Sequence, residues 1–203
     1  MRVALETERL ILRAFTPEDV DDLTALDSDP AVMRYLNGGE PTPRAVIERE
    51  VLPRFIASSQ AGDGYGVWAA IERATGVFVG WFALRTHEDG AVGEVSLGYR
   101  LRRSVWGKGY ATEGARALIR QGFTALGAQR VVATTYQDNL ASRRVMEKAG
   151  LTLARTFRMT PDQVAAEVDT FVAAGELWDG DDVEYALDRA EWERQIAAGE
   201  RMG

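Results

Sequence analysis

The chain has 203 residues, 46% hydrophobic and 27% charged, with a net charge of −7 and no cysteine. Disulfides, thiolate metal sites and a thiol nucleophile are excluded, and the single histidine excludes a His-rich centre, so no metal is expected. The length predicts one domain over 1–203, and with no signal-peptide core and no apolar run of roughly 18 residues it is expected to be cytoplasmic with no membrane partner. Residues 9–15 alternate well enough for a first strand. Thr16-Pro17-Glu18-Asp19 is a helix start, with Thr at the N-cap, Pro at the first helical position and acids in the first turn. A second helix starts at Asp29-Pro30 and stops at Asn37-Gly38-Gly39. A third opens at Thr42-Pro43 with Val46, Ile47 and Val51 inward, and Pro53 is expected to kink or end its first segment.

Strands follow over 65–72 and 77–86, joined at Ala74-Thr75-Gly76, and the turn Glu88-Asp89-Gly90 leads to a third over 94–101. Three successive strands with short turns make an antiparallel meander. A helix carrying Ala115, Leu118, Ile119 and Phe123 at helical spacing crosses to a buried-looking strand over 130–136. Asp138-Asn139 starts another helix that ends at Gly150, and a strand follows over 151–158. Thr160-Pro161-Asp162 opens a helix with Val164, Val168, Phe171 and Val172 on one face. A last strand over 178–187 and a helical tail over 190–198 close the chain. This order predicts an α/β fold, a mixed sheet of six to seven strands with helices on both faces.

Between the strand over 94–101 and the following helix lies Trp106-Gly107-Lys108-Gly109-Tyr110-Ala111-Thr112-Glu113. The first amides of a helix lack internal partners, the macrodipole is positive there, and glycine lets an anion approach the backbone. The stretch reads either as a phosphate cradle or as a turn plus close helix packing. It is neither a P-loop nor a dinucleotide fingerprint, since Thr112 stands where the third glycine belongs. Residues 100–148 hold ten Lys or Arg against three acids, whereas 160–203 hold twelve acids against three arginines. The basic middle suits a polyanionic ligand and the acidic end a cationic amine, unless both are simply solvated faces. The acidic total argues against direct nucleic-acid binding.

Gly98-Tyr99-Arg100-Leu101, the glycine stretch, and Asn139-Leu140-Ala141-Ser142-Arg143-Arg144-Val145-Met146-Glu147-Lys148-Ala149-Gly150-Leu151 together resemble the Gcn5-related N-acetyltransferases (GNAT). The likeness is greatest to the RimJ/RimL-like ribosomal-protein branch, whose opening is similar to Glu8-Arg9-Leu10-Ile11-Leu12-Arg13. It runs from about 6 to 158 and resumes near 178, which makes the helix at about 160–175 an insertion. The family at large opens its pyrophosphate motif with Arg or Gln; Trp106 stands there, as is usual in this branch.

The resemblance implies a GNAT-like fold and acetyl-CoA as cosubstrate, with Trp106, Gly107, Lys108, Gly109, Tyr110, Ala111 and Thr112 at the pyrophosphate. It implies that Tyr99 and Leu101 pair with the pantetheine like an added strand. An amide near Leu101 polarises the thioester carbonyl, Asn139 touches the pantetheine, and Arg143, Arg144 or Lys148 meets the 3′-phosphate. It also places the early helices over the acceptor. Many members carry a proton-donating Tyr where this chain has Met146; in this branch a serine is the proposed donor, and Ser142 matches it.

Acetyl transfer to an amine needs a polarised carbonyl, a neutral nitrogen and a proton for the departing thiolate, and a lysine-like amine has a pKa near 10.4. Without a cysteine or an apparent Ser-His-Asp set, direct attack in a ternary complex is favoured. Ser142 reads as donor or as a first-turn residue behind an Asn139 cap, and Glu94 as base or as an exposed strand residue. Asp182 and Glu184 share a strand face that would suit a cationic substrate, although surface acids are the plainer reading. His87 reads as a surface residue; Trp68, Trp81, Phe82 and Trp178 read as core or cleft wall. The expected activity is acetyl-CoA-dependent N-acetylation of a primary amine, on a protein N-terminus or a small molecule. The alternative is an acyl-CoA-binding sensor or scaffold without turnover. Coenzyme A and an amine are the expected partners, and an exposed face of the insertion would suit a homodimer.

Overall fold

A computed structural model describes residues 3–60, 63–86, 91–158 and 180–199. His87, the turn at 88–90, the helix expected over 160–175 and Trp178 lie outside the described residues. The chain opens with a hairpin, β1 (Val3–Glu6) and β2 (Leu10–Ala14). Asp19 then accepts from the Thr16 amide at 2.8 Å and pairs with Arg13, fixing the entry to α1 (Val20–Asp27). The Asp29 side chain caps α2 (Pro30–Asn37), and Gly38 ends it in the left-handed region at φ 78°.

Pro53 does not end the third helix. A short α segment, α3 (Arg44–Val46), passes through a π-type turn over Ile47–Val51 into α4 (Leu52–Gln60). The Leu52 amide bonds to the Ile47 carbonyl, five residues back. A wider turn at this point absorbs the ring and the missing N–H that would otherwise break an α-helix.

The meander follows as β3 (Gly66–Glu72), β4 (Phe78–Thr86) and β5 (Glu94–Leu101). Helix α5 (Tyr110–Thr124) crosses to β6 (Arg130–Tyr136), α6 (Leu140–Lys148) leads to β7 (Thr152–Phe157), and β8 (Asp182–Asp188) precedes α7 (Arg189–Gly199). Among the described residues the sheet has eight strands in the order β1-β2-β3-β4-β5-β6-β8-β7, one more than expected because the short, mostly exposed β1 pairs along the edge. Every neighbouring pair is antiparallel except β5–β6.

Strand alternation divides the core into two layers. Val95, Leu97 and Leu101 face α5 and α6 together with Leu118, Phe123 and Met146, and Phe82 lies against Gly114, where an added Cβ would fall 2.3 Å from its ring. On the other face α1, the π-type turn and α4 cover β3 and β4 through Leu23, Leu26, Ile47 and Phe55, which pack with Trp81 of β4. Burying each such side chain contributes about 1.5–3 kcal/mol. Arg100, on this second face, pairs with the buried Asp27 at 2.6 Å and lies over the Trp81 ring at 5.1 Å.

Candidate active site

β5 and β6 run parallel only for Glu94 to Ser96 against Arg130 to Val132. Beyond Ser96, β5 keeps β4 on one side, as Tyr99↔Phe82 and Leu101↔Gly80 show, and no pairing with β6 continues on the other. The Arg102 amide bonds back to Val79 on the β4 side. Successive backbone groups alternate, so the N–H and C=O of Leu101, and of Tyr99 two before it, point to the unpaired side. There the Trp106 indole N–H donates to the Leu101 carbonyl at 2.9 Å, while the Trp106 residue stays 48% exposed. The strand end offers an extended ligand the Leu101 N–H and both backbone groups of Tyr99.

The chain then turns into α5 through Gly107 at φ 74° and Gly109 at φ 88°, a region that favours glycine. An added Cβ at Gly107 would meet nothing within 4 Å, so this backbone has clear room for phosphate oxygens. The first backbone bond into α5 runs from the Glu113 amide to the Gly109 carbonyl at 3.0 Å, and no side chain caps the helix start. The amides of Tyr110, Ala111 and Thr112 point out of the positive end of a fifteen-residue helix, which fits a pyrophosphate. The Tyr110 side chain turns away instead: it is buried, donates to Glu72 and carries Arg9 over its ring.

Arg9 braces this loop from 99 residues away. Its Nη1 donates to the Lys108 carbonyl at 2.9 Å, its Nε pairs with Glu113 at 2.6 Å, and Thr7 donates to the same carboxylate. Burial pushes the Glu113 pKa up, but bonds from Thr7 and Arg9 outweigh it and hold the carboxyl below its usual value. Along the outer side of α5, Thr112, Arg116, Arg120 and Lys148 line a groove.

On the α6 side the sequence-predicted residues come together. Asn139 caps α6, accepting from the Ser142 amide at 3.2 Å and donating to Thr135 at 3.0 Å. Ser142 Oγ lies 3.0 Å from the Tyr99 hydroxyl, which also reaches the Ser142 carbonyl at 3.1 Å. Burial pushes the Tyr99 phenol up to about 12, against a smaller downward pull from Ser142. Met146 is 2% exposed and belongs to the core. The family resemblance assigns Tyr99 through its backbone alone. Its side chain could have been placed by parity, because it shares a face with Val95 and Leu97 and that face meets α6.

Other candidates fall elsewhere. Glu94 sits at the opposite end of β5, five residues or roughly 16 Å from Tyr99. There it faces Arg130 at 3.3 Å, which also holds Asp188, so the structure does not bring Glu94 to the strand divergence. Arg143 is committed to Tyr185 and to the Gln137 carbonyl, whereas Arg144 and Lys148 remain exposed. Trp68, Trp81 and Phe82 are core. Asp182 is no surface acid: it is 4% exposed, and its neighbour on that face, Glu184, pairs with Arg155 at 2.7 Å. From the opposite layer, the Tyr35 hydroxyl reaches the Asp138 carbonyl at 3.2 Å, linking α2 to the start of α6.

Residues 9–152 match the family described as "Acetyltransferase (GNAT) domain". The FsC-acetyl coenzyme A-N(2)-transacetylase of Aspergillus fumigatus is 33% identical over 94% of this chain and 78% of its own length. A GNAT-family acetyltransferase structure from Bacillus anthracis shares the fold with a TM-score of 0.73 and 23% identity, over 94% of this chain and 99% of that one. A structure of RimL, ribosomal L7/L12 alpha-N-protein acetyltransferase, in complex with coenzyme A aligns with a TM-score of 0.71 and 19% identity, over 92% and 98%.

Proposed function

Because the chain belongs to the GNAT acetyltransferase family, we propose that it is a cytoplasmic acetyl-CoA-dependent enzyme that acetylates a primary amine by direct attack in a ternary complex. The observation that carries this reading is the meeting of two unsatisfied backbone features at one point, the unpaired end of β5 and the uncapped start of α5. Tyr99 and Leu101 would pair with the pantetheine, with the Leu101 amide polarising the thioester carbonyl. Gly107 to Thr112 would hold the pyrophosphate through their amides, and Arg144 or Lys148 would meet the 3′-phosphate. Asn139 would orient Ser142, and Ser142 would protonate the departing sulfur.

The relative from A. fumigatus is named for transfer to an N(2) nitrogen and RimL for a protein alpha-amine, so both small-molecule and N-terminal amines are within the proposed acceptor class. An α-amine, with a pKa of about 7.7–8.0, keeps a far larger neutral fraction at pH 7 than a lysine near 10.4 and needs the least help from a base. Glu94, held by Arg130, is not assigned that role.

Calorimetric titration of the whole chain with acetyl-CoA, beside NADH and ATP, tests the cosubstrate. Thiol release with a panel of small amines and N-terminal peptides tests the reaction, without background because the protein has no cysteine. Selective binding of acetyl-CoA and release with at least one amine are expected. Failure of acetyl-CoA to bind a folded sample would overturn the reading; binding without release by any amine would leave a sensor.

A further inference from the structure

We propose that Tyr99 is a positioning residue for Ser142, its one phenolic proton setting the direction in which the Ser142 hydroxyl donates. The inference rests on the reading of Ser142 as leaving-group donor. The Tyr99 oxygen has two partners on one residue, Ser142 Oγ at 3.0 Å and the Ser142 carbonyl at 3.1 Å. A phenol has one proton and a serine hydroxyl has one. When Tyr99 donates to the carbonyl, its oxygen is left to accept the Ser142 proton, which then points away from any substrate. When Tyr99 donates to Oγ, the Ser142 proton is released to point elsewhere.

The surroundings hold the pair in place. The Ser142 amide is fixed by Asn139, which is fixed in turn by Thr135 at the end of β6. Tyr99 lies on the part of β5 that still pairs with β4 but no longer with β6, with Phe82 beside its ring at 6.1 Å between centroids. Burial keeps the phenol protonated through the neutral range, so it always has a proton to give. No hydroxyl comes from position 146, where Met146 packs into the core. The second hydroxyl comes from the strand.

During transfer the amine nitrogen bonds to the acetyl carbon, the C–S bond breaks and its electron pair goes to sulfur. Sulfur takes the Ser142 proton, Ser142 regains the proton that the attacking nitrogen sheds, and Tyr99 keeps its own proton while bonded to Ser142 Oγ. One proton leaves nitrogen and one arrives at sulfur.

The test needs no acceptor. The thiol pKa of coenzyme A bound to the whole protein is read from thiolate absorbance for wild type, Tyr99→Phe, Ser142→Ala and the double variant, with affinity and Tm as controls. A donor aimed at sulfur lowers that pKa. Tyr99→Phe and Ser142→Ala should each raise it by about one unit, tenfold in thiolate fraction, and the double variant should raise it no further. Coenzyme A affinity should stay within about twofold, since hydroxyls at the far end of the pantetheine contribute little to holding the phosphates. A Tyr99→Phe thiol pKa equal to wild type, beside a raised one in Ser142→Ala, would overturn the role of Tyr99 and leave Ser142 standing. Separate, additive shifts would also overturn it, because they make the two hydroxyls independent. An unchanged pKa in Ser142→Ala would remove Ser142 and the inference together. With any amine that turns over, Tyr99→Phe should lower kcat and leave the KM for acetyl-CoA in place.

Discussion

The two ends of β5 were built for different ends. At its start the ladder with β6 is complete and Arg130 bridges Glu94 and Asp188, a partly exposed arrangement of the kind that contributes about 1 kcal/mol. At its finish the ladder stops, the backbone of Tyr99 and Leu101 turns outward, and the neighbours are hydroxyls, an indole and a bare helix start. One eight-residue strand carries both a structural clamp and an open backbone edge. The edge stays in place because its other face is sealed: Arg100, one residue from Tyr99, is buried against Asp27 and Trp81. The difference teaches that strand parity divides the labour, with Tyr99 turned to Ser142 and Arg100 to the Asp27 anchor.

Substitutions can break that contrast at either end. Ser142→Ala should lower kcat by about 10²–10⁴-fold with acetyl-CoA affinity and Tm unchanged, as thiol release, calorimetry and thermal melts would show. Asp27→Ala leaves Arg100 without its carboxylate and should cost about 3–5 kcal/mol in denaturant unfolding. Gly109→Ala forces a Cβ into the left-handed region, 3.3 Å from Arg9 Nη2. It should cost about 1–2 kcal/mol of stability and weaken acetyl-CoA binding in calorimetry.

Acid sharpens the comparison at the glycine turn before α5. The folded pKa of Glu113 lies below its unfolded value, so its tether to Thr7 and Arg9 is fully present above the ordinary carboxylate pKa and is lost as pH falls through the lower folded one. Tm measured from about pH 5 down to about pH 3 should fall, and Glu113→Gln should remove part of that slope. The smallest effect belongs to Glu94→Gln, with less than about 1 kcal/mol in stability and an unchanged kcat. A large fall in kcat would bring Glu94 back as the base.

Local chemistry was legible in the chain before folding. Gly107 and Gly109 announced a turn because few other residues adopt their φ, and Asn139 announced a cap because its side chain competes for the amides of the next turn. What escaped were contacts that only topology creates. Arg9 meets Lys108 across 99 residues, and nothing near Arg9 in sequence points there. Alternation showed that Asp182 and Glu184 share a face but not that Asp182 would be covered. Pro53 misled because the rule against interior proline assumes α geometry, and the π-type turn before it does not have that geometry.

The indole bond from Trp106 to the Leu101 carbonyl also bears on how the protein behaves in a crowded solution. An unpaired strand edge is a template that another extended segment can read, including the same segment in a second copy of the chain. By occupying one of the outward acceptors with a bulky side chain, Trp106 interrupts that template. A polypeptide would have to displace an aromatic ring to zip along the edge. The residue that stands where the family's Arg or Gln would be is therefore placed to hinder edge-to-edge pairing of the chain.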